Sequence, residues 1–429
     1  MTSTELASLQ RDHVRTLQQR YEALLAGSDY DAVLISSGTA PLHYGDDQRH
    51  HHRGFPAFVH WTSLAGLEHG WLLIEPGRQP RLWLHTPVDF WHATPELPGS
   101  PWQELFEIQG RTSTAAPELP GMPRLAVVAD PAVVAAALGD INPPDLLAAM
   151  EATRVHKTPY EIACLAEASA TAAAGHRAAV AAFASGASEF EISLAFQAAT
   201  GQLEVDAPYH SIIGLNEHAA VLHYQHYELA APERHRSLLI DAGARVRGYG
   251  SDITRTTAGE GEGALAALIE GIERLQRRLW QAAAPGADFI ELHHKAHLGL
   301  AALLSASGLV KGLSGEAMVA EGVTGRFFPH GLGHLLGVQV HDVAGKPRPA
   351  PAEFPMLRLT RVLEPAMVLT IEPGLYFIPS LLEPLRAGRL GRHLDGRLLA
   401  ELQGCGGIRI EDNIVVTETG PRNLTREWL

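Results

Sequence analysis

Short apolar runs closed by turn residues recur along the first third of the chain. DAVLISSG (31–38), HGWLLIEPG (69–77) and RLAVVAD (124–130) each carry an apolar core ended by Gly, Pro, Ser or Asp, the pattern of a buried strand. AVVAAAL (132–138) and DLLAAM (145–150) predict short helices between them, and the N-terminal stretch MTSTELASLQRDHVRTLQQRYEALL has a charged, helical pattern. Strands alternating with helices imply an α/β domain over residues 1–155.

The pattern changes at RVHKTPYEI (154–162). Thr158 is a hydroxyl N-cap, Pro159 fits the first helical position and Glu161 stands three residues after the cap. A long helix is expected from there to about Gly186. SEFE (188–191) is a second capping box that opens a helix to about Gly201, and helices at 262–284 and 288–307 are separated by Pro285-Gly286. SIIGL (211–215), SLLIDAG (237–243), DITRTTA (252–258), MVLTIEPGLYF (367–377) and GIRIEDNIVVT (407–417) predict strands. Helices and antiparallel-looking strands in one block imply an α+β domain over residues 156–429. KPRPAPAEFP (346–355) is a Pro-rich surface loop. No internal repeat is visible.

The bulk numbers narrow the function classes. A length of 429 residues suits two domains, and 46 % apolar with 19 % charged residues is ordinary globular composition. A net charge of −14 repels phosphate backbones, so no nucleic-acid partner is expected. Cys164 and Cys405 are too few and too far apart for a disulfide framework or a cysteine zinc site, and fit a reducing cytoplasm. The N-terminus has no apolar core of a signal peptide. In the Ala-rich stretch 163–184, Glu167, His176 and Arg177 interrupt the apolar run, so no membrane span is expected.

The chemistry gathers in four stretches. In SLLIDAGARVRGYGSDITRT, Asp241 ends an apolar run and Asp252 follows eleven residues later, so adjacent strands could bring the two carboxylates together; both also suit ordinary strand ends and turns. In VLTIEPGLY, Glu372 stands inside an apolar strand and must be paired, protonated or bound to a cation. In GIRIEDNIVV, Arg409 and Glu411 share a face, which is either solvated or a site. HGLGHLLGVQVHD (330–342) lacks the internal Glu of the zincin motif, and its glycines oppose a helix. There His334 is a candidate ligand, flanked by His330 and His341 as hydrogen-bond donors. Asp241, Asp252, His334, Glu372 and Glu411 together carry four negative charges, which match two divalent ions. Oxygen ligands with one imidazole suit Mn²⁺ first, then Co²⁺ or Zn²⁺, and paired ions are a hydrolytic device.

The stretches LIDAG…GSDITRT, FFPHGLGHLLGVQVHDV, LTIEPGLYF and GGIRIEDNIVV resemble, in order and spacing, the pita-bread metallopeptidases: methionine aminopeptidase, aminopeptidase P and prolidase. YHSIIGLNEHAAVLHY (209–224) resembles the prolidase loop that supplies a catalytic histidine, here His223. PVDFWHATPELP (87–98), with Trp91, and the Asp46-Asp47 pair resemble the bacterial Xaa-Pro dipeptidase branch, which includes organophosphorus acid anhydrolases.

The resemblance covers almost the whole chain. It implies that Asp241 chelates one ion, that Asp252 and Glu411 bridge two, and that His334 and Glu372 hold the second. Glu372 would also move the proton from water to the leaving prolyl nitrogen, with His223 and His341 donating to the substrate and Arg409 orienting the ligands. Arg358, in MLRLTRVLEP, matches an arginine of the bacterial pattern and would read the free carboxylate of a dipeptide; the alternative is a surface arginine. Tyr209 would line the pocket. Asp46 or Asp47 would meet the substrate ammonium across a homodimer, and Trp91 would help bind substrate.

QRHHHRGFPAF (48–58) departs from the relatives, and its three consecutive histidines suit either an extra metal site or a solvated loop tip. The expected function is cleavage of Xaa-Pro dipeptides, with a side activity on organophosphorus bonds. Alternatives are aminopeptidase P acting on longer peptides, or a non-catalytic binding protein on the same fold.

Overall fold

The computed structural model of the chain describes residues 2–91, 96–119, 121–122, 124–131, 134 and 138–429. All but two residues of the helix expected at 132–138, and residues 92–95 of the PVDFWHATPELP stretch, lie outside these. The described chain forms two compact units, Met1–Cys164 and Leu165–Leu429.

The first unit is built on a six-stranded mixed sheet. Its strands are β1 (Ala32–Ser36), β2 (Trp71–Ile74), β3 (Arg81–His85), β4 (Glu107–Arg111), β5 (Leu125–Val128) and β6 (Asp140–Ile141), in the order β4-β3-β2-β1-β5-β6. β1, β2 and β5 are the three apolar runs. β3 carries three apolar residues, Leu82, Trp83 and Leu84, between Arg81 and His85, and only one of the five β4 positions is apolar. Helix Ser3–Ala26 buries Val14, Leu17, Tyr21 and Leu25, spaced as one helical stripe. Val14, Leu17 and Tyr21 join Val33, Ile35, Phe58, Trp61 and Trp102 in the core, each fully buried large side chain contributing about 1.5–3 kcal/mol.

Helix Pro159–Ala184 starts with the capping box expected from its sequence. The Thr158 amide donates to Glu161 (2.8 Å) and the Glu161 amide to Thr158 Oγ1 (3.4 Å). The Glu161 carboxylate is buried and faces His60 Nε2 at 3.3 Å and His13 Nδ1 at 3.9 Å. The first turn of this helix therefore belongs to the first unit, which runs to Cys164.

In the second unit, β7 (Ile212–Leu215), β8 (Ser237–Asp241) and β11 (Thr254–Ala258) form an antiparallel sheet, and β9 (Arg245–Val246) and β10 (Tyr249–Gly250) form a short hairpin between β8 and β11. Helices Pro159–Ala184 and Glu189–Thr200 pack Ala179, Phe183, Ile192 and Phe196 on Ile213, Leu215, Leu238 and Ile240. The long strands expected at 367–377 and 407–417 are each broken in two. β12 (Val368–Ile371) and β15 (Asp412–Thr417) pair in one sheet with β16 (Gly420–Asn423), while β13 (Gly374–Tyr376) and β14 (Gly407–Arg409) pair in another. The breaks fall at Glu372-Pro373 and at Ile410-Glu411. Proline cannot donate to a ladder, and the Glu411 amide leaves its own strand partners to donate to Thr254 O of β11 (3.0 Å). Both glutamates thus sit where a strand changes sheets. Among the described residues no helix is long and apolar enough to cross a membrane.

Candidate metal and active site

Asp241 ends β8, where it pairs with Thr254, and Asp252 lies just before β11. The intervening Gly243 is obligatory, because a Cβ there would stand 1.9 Å from Ser251 O. Residues 330–342 form no helix. They run beside β12: the Thr370 amide donates to His334 O (2.9 Å), the Glu372 amide to Leu332 O (2.8 Å) and the His334 amide to Thr370 Oγ1 (3.2 Å). A Cβ on Gly333 would stand 2.0 Å from Thr370 O, so the glycines of HGLGH let the loop approach the strand. His334 Nδ1 donates to Leu335 O (3.0 Å). That orients the ring and turns Nε2 toward Asp252 Oδ2 at 3.3 Å and Glu372 Oε1 at 3.8 Å.

Three groups of donor atoms, each within 4.8 Å of one another, result: Asp241-Asp252-Glu411, His334-Glu372-Glu411 and Asp252-His334-His341. Glu411 belongs to the first two, and Asp252 to the first and third. All line a cleft of about 570 Å³ together with Tyr209, His223, His330, Arg358 and Arg409.

Two cationic groups face the four carboxylates. Buried Arg409 donates from Nη2 to Asp241 (2.6 Å), from Nη1 to Tyr376 Oη (2.7 Å) and from Nε to Thr254 Oγ1 (3.0 Å). Thr254 in turn donates to Glu411 (2.7 Å), and Tyr209 donates to Asp241 (2.7 Å). The second is His334. Burial and mutual repulsion push Asp241 and Glu411 up, and push Glu372 up to about 7. Asp252 moves down, because its contacts with His334 outweigh its burial. Repulsion of this kind is what divalent cations relieve, and four carboxylates with one free imidazole nitrogen are a donor set for them. The residues therefore fit a metal.

The flanking histidines differ from one another. His330 Nδ1 donates to Gly331 O (2.9 Å), and Nε2 accepts from Tyr376 Oη (2.9 Å). Burial, then Arg409, lower its pKa to about 3. It is a neutral wall of the cleft with both nitrogens engaged, not the free donor expected from HGLGH. His341 stands edge-on to His334, ring centres 4.4 Å apart, and it and His223 are exposed. The Arg358 guanidinium is exposed and has no ion pair or side-chain hydrogen bond among the described residues.

The cleft lining comes from the second unit and includes none of Asp46, Asp47 and Trp91. These lie exposed in the first unit, Trp91 against Phe90 at 4.6 Å. Of the three consecutive histidines, His50 lies tilted against His43 (ring centres 3.8 Å apart), while His52 is buried and bonds to Leu67 O (3.0 Å), so the segment is not a uniformly solvated tip.

The sequence pattern did not point to the support behind Glu411. Asp412, fully buried, accepts from Arg255 Nη2 (2.7 Å), Arg426 Nε (2.7 Å), Gln276 (2.8 Å) and Asn423 (2.8 Å), and Arg255 Nη1 donates to Glu411 O (2.7 Å). Alternation across the Glu411-Asp412 doublet was the available signal: the second carboxylate had to face away from the first.

An antiparallel α+β unit that gathers four carboxylates and one imidazole in a cleft defines a metal-dependent hydrolase. Comparison with known proteins narrows that class. Residues 163–418 match the model of metallopeptidase family M24, and residues 8–151 that of the Xaa-Pro dipeptidase N-terminal domain. The chain belongs to metallopeptidase family M24. It is 60 % identical to the Xaa-Pro dipeptidase of Marinobacter nauticus, over 100 % of both chains, and 43 % identical to that of Pectobacterium carotovorum, over 99 % of both. In fold it is similar to Escherichia coli aminopeptidase P with the inhibitor Pro-Leu (TM-score 0.71, 23 % identity, 98 % of this chain and 95 % of that one) and to Pseudomonas aeruginosa aminopeptidase PepP (0.71, 22 %, 95 % and 93 %).

Proposed function

We propose that the chain is a metal-dependent Xaa-Pro dipeptidase. The observation that carries this reading is the overlap of the donor groups, in which Glu411 and Asp252 are shared between neighbouring sets. Asp241, Asp252 and Glu411 would hold one divalent ion, and His334, Glu372 and Glu411 a second, with Mn²⁺ ahead of Co²⁺ and Zn²⁺ on donor chemistry. Ions held there would supply Lewis acidity and a nucleophile at neutral pH.

The chain's own residues do the rest. Glu372, set at the cleft wall, takes a proton from the attacking water and passes it to the prolyl nitrogen, which is tertiary and must be protonated to leave. His223 and His341, exposed in the cleft, donate to the carbonyl oxygen as charge builds on it. Tyr209 and Arg409 fix Asp241 from two sides. His330 holds Tyr376 and, through it, Arg409. Arg358, an unpaired cation in an acidic cleft, meets the free carboxylate of the dipeptide and so excludes longer chains.

In a homodimer the exposed Asp46 and Asp47 would reach the substrate ammonium of the neighbouring subunit, with Trp91 nearby on the substrate. Two cysteines in the chain, Cys164 and Cys405, both buried, suit the cytoplasm.

The test is turnover by metal-stripped protein with Mn²⁺ restored, on Ala-Pro, Leu-Pro and Leu-Pro-Gly, with Glu372→Gln as control. Cleavage of the dipeptides alone, lost in the control, is expected. Cleavage of the tripeptide would shift the reading to aminopeptidase P. If no peptide is cleaved by metal-loaded protein, organophosphorus esters and fluorides become the substrates to try.

A further inference from the structure

Glu189 stands in the first turn of helix Glu189–Thr200, away from the donor groups, and its carboxylate is 1 % exposed. A buried carboxylate needs hydrogen bonds, and all four of its own reach one segment. Oε1 accepts from the Leu215 amide (2.8 Å) and from His218 Nδ1 (2.8 Å). Oε2 accepts from Tyr224 Oη (2.7 Å) and from the Glu228 amide (3.0 Å). Leu215 and Glu228 are the two feet of a loop, and His218 and Tyr224 are its interior, stacked on each other with ring centres 4.6 Å apart. Tyr224 is buried, while its neighbours Leu222, His223 and Gln225 line the cleft. No strand or helix ladder holds residues 221–228; besides Tyr227 Oη on Ser211 O (2.7 Å) and the Phe190 amide on Glu228 O (3.2 Å), the Glu189 carboxylate supplies the anchorage that secondary structure supplies elsewhere.

We infer that Glu189 is a positioning residue that clamps the 215–228 loop and thereby sets His223 over the cleft. The inference rests on the dipeptidase reading for its kinetic consequence, but not for its structural one. A carboxylate can accept four hydrogen bonds; an amide accepts at one oxygen and turns an NH₂ toward the remaining donors. Glu189→Gln therefore loosens one side of the loop whichever way the amide is turned.

The test is a double-mutant cycle on kcat/KM for Ala-Pro with Mn²⁺. Glu189→Gln is expected to lower kcat/KM about tenfold to a hundredfold, the range for hydrogen bonds to a charged group. In a His223→Ala background the same change is expected to have an effect within about twofold, because its target is gone. Against Arg358→Ala its effect is expected to be undiminished. An equal loss with and without His223, or no loss at all, would overturn the inference. Should Glu189→Gln fail to fold, Tyr224→Phe removes one of the four bonds and goes through the same cycle.

Amide hydrogen exchange separates this inference from the reading beneath it. Faster exchange across 215–228 in Glu189→Gln, with β8 and β11 unchanged, is expected even if no Xaa-Pro substrate is cleaved. Unchanged exchange in that loop would refute the clamp, whereas a wild-type chain inert toward dipeptides would refute only the substrate assignment.

Discussion

Asp412→Asn should destabilise the second unit far more than a charge-neutralising, isosteric change on a surface would. Asp412 is completely buried, with three donors at Oδ2 and Arg255 at Oδ1. In one orientation the amide of asparagine points its NH₂ at Arg255, and in the other at Arg426. Removing one partner of a buried pair leaves the remaining charges uncompensated and costs about 3–5 kcal/mol. The pKa of the group points the same way. Burial alone would raise the Asp412 pKa, yet Arg255 and Arg426 outweigh it and hold the group at about 2, against an ordinary 3.8. That gap corresponds to about 2 kcal/mol of stability, the same order as the truncation cost.

The assay is calorimetric melting, with the transition of the second unit identified as the one that Mn²⁺ raises. At about 2–4 °C per kcal/mol for a unit of this size, the variant should melt at least about 6 °C lower. The sign with pH is fixed. A carboxylate whose folded pKa is depressed contributes above its unfolded value and loses that contribution as pH falls toward the folded value. The gap between wild type and variant should therefore be full at neutral pH and shrink between 3.8 and about 2. A variant that melts within about 2 °C of wild type at neutral pH would refute the view that this network carries the Glu411 strand.

Three further outcomes are expected. Gly333→Ala places a methyl 2.0 Å from Thr370 O; the loop must leave β12, at about 1–3 kcal/mol or more, and metal content by elemental analysis should fall because His334 leaves with it. Arg358→Met should raise KM for Ala-Pro about tenfold or more with little change in kcat, and a KM unchanged from wild type would remove Arg358 from the substrate site. Chelation should lower the melting temperature of the second unit as four carboxylates lose their counter-charge, and Mn²⁺ at a thousandfold excess over its Kd should restore about 4 kcal/mol; melting indifferent to both would count against the metal reading.

Much of this molecule was legible residue by residue. The capping boxes at Thr158 and Ser188 name their helices, and Gly201 ends the second in a left-handed conformation, because a cap is satisfied within three or four residues of itself. The apolar runs at 32–36, 71–74 and 125–128 are strands because burial on both faces needs only local composition. The ligand types were readable as well, since a glutamate inside an apolar strand is too costly to bury without a cation, a proton or a partner.

What the tertiary structure decided is everything that depends on partners far along the chain. Whether 367–377 is one strand or two is set by which distant strand offers hydrogen bonds, and the answer puts Glu372 at a junction between sheets. Whether a histidine is a donor or a wall depends on what occupies its second nitrogen: Tyr376 does so for His330, and the Leu335 carbonyl frees the other nitrogen of His334. The roles of Asp412 and Glu189 could not be read locally because their partners lie far away in sequence. Local pattern reports the preferences of a residue and its near neighbours; the pairing of buried charges is settled only when the packed chain brings remote donors within hydrogen-bond reach.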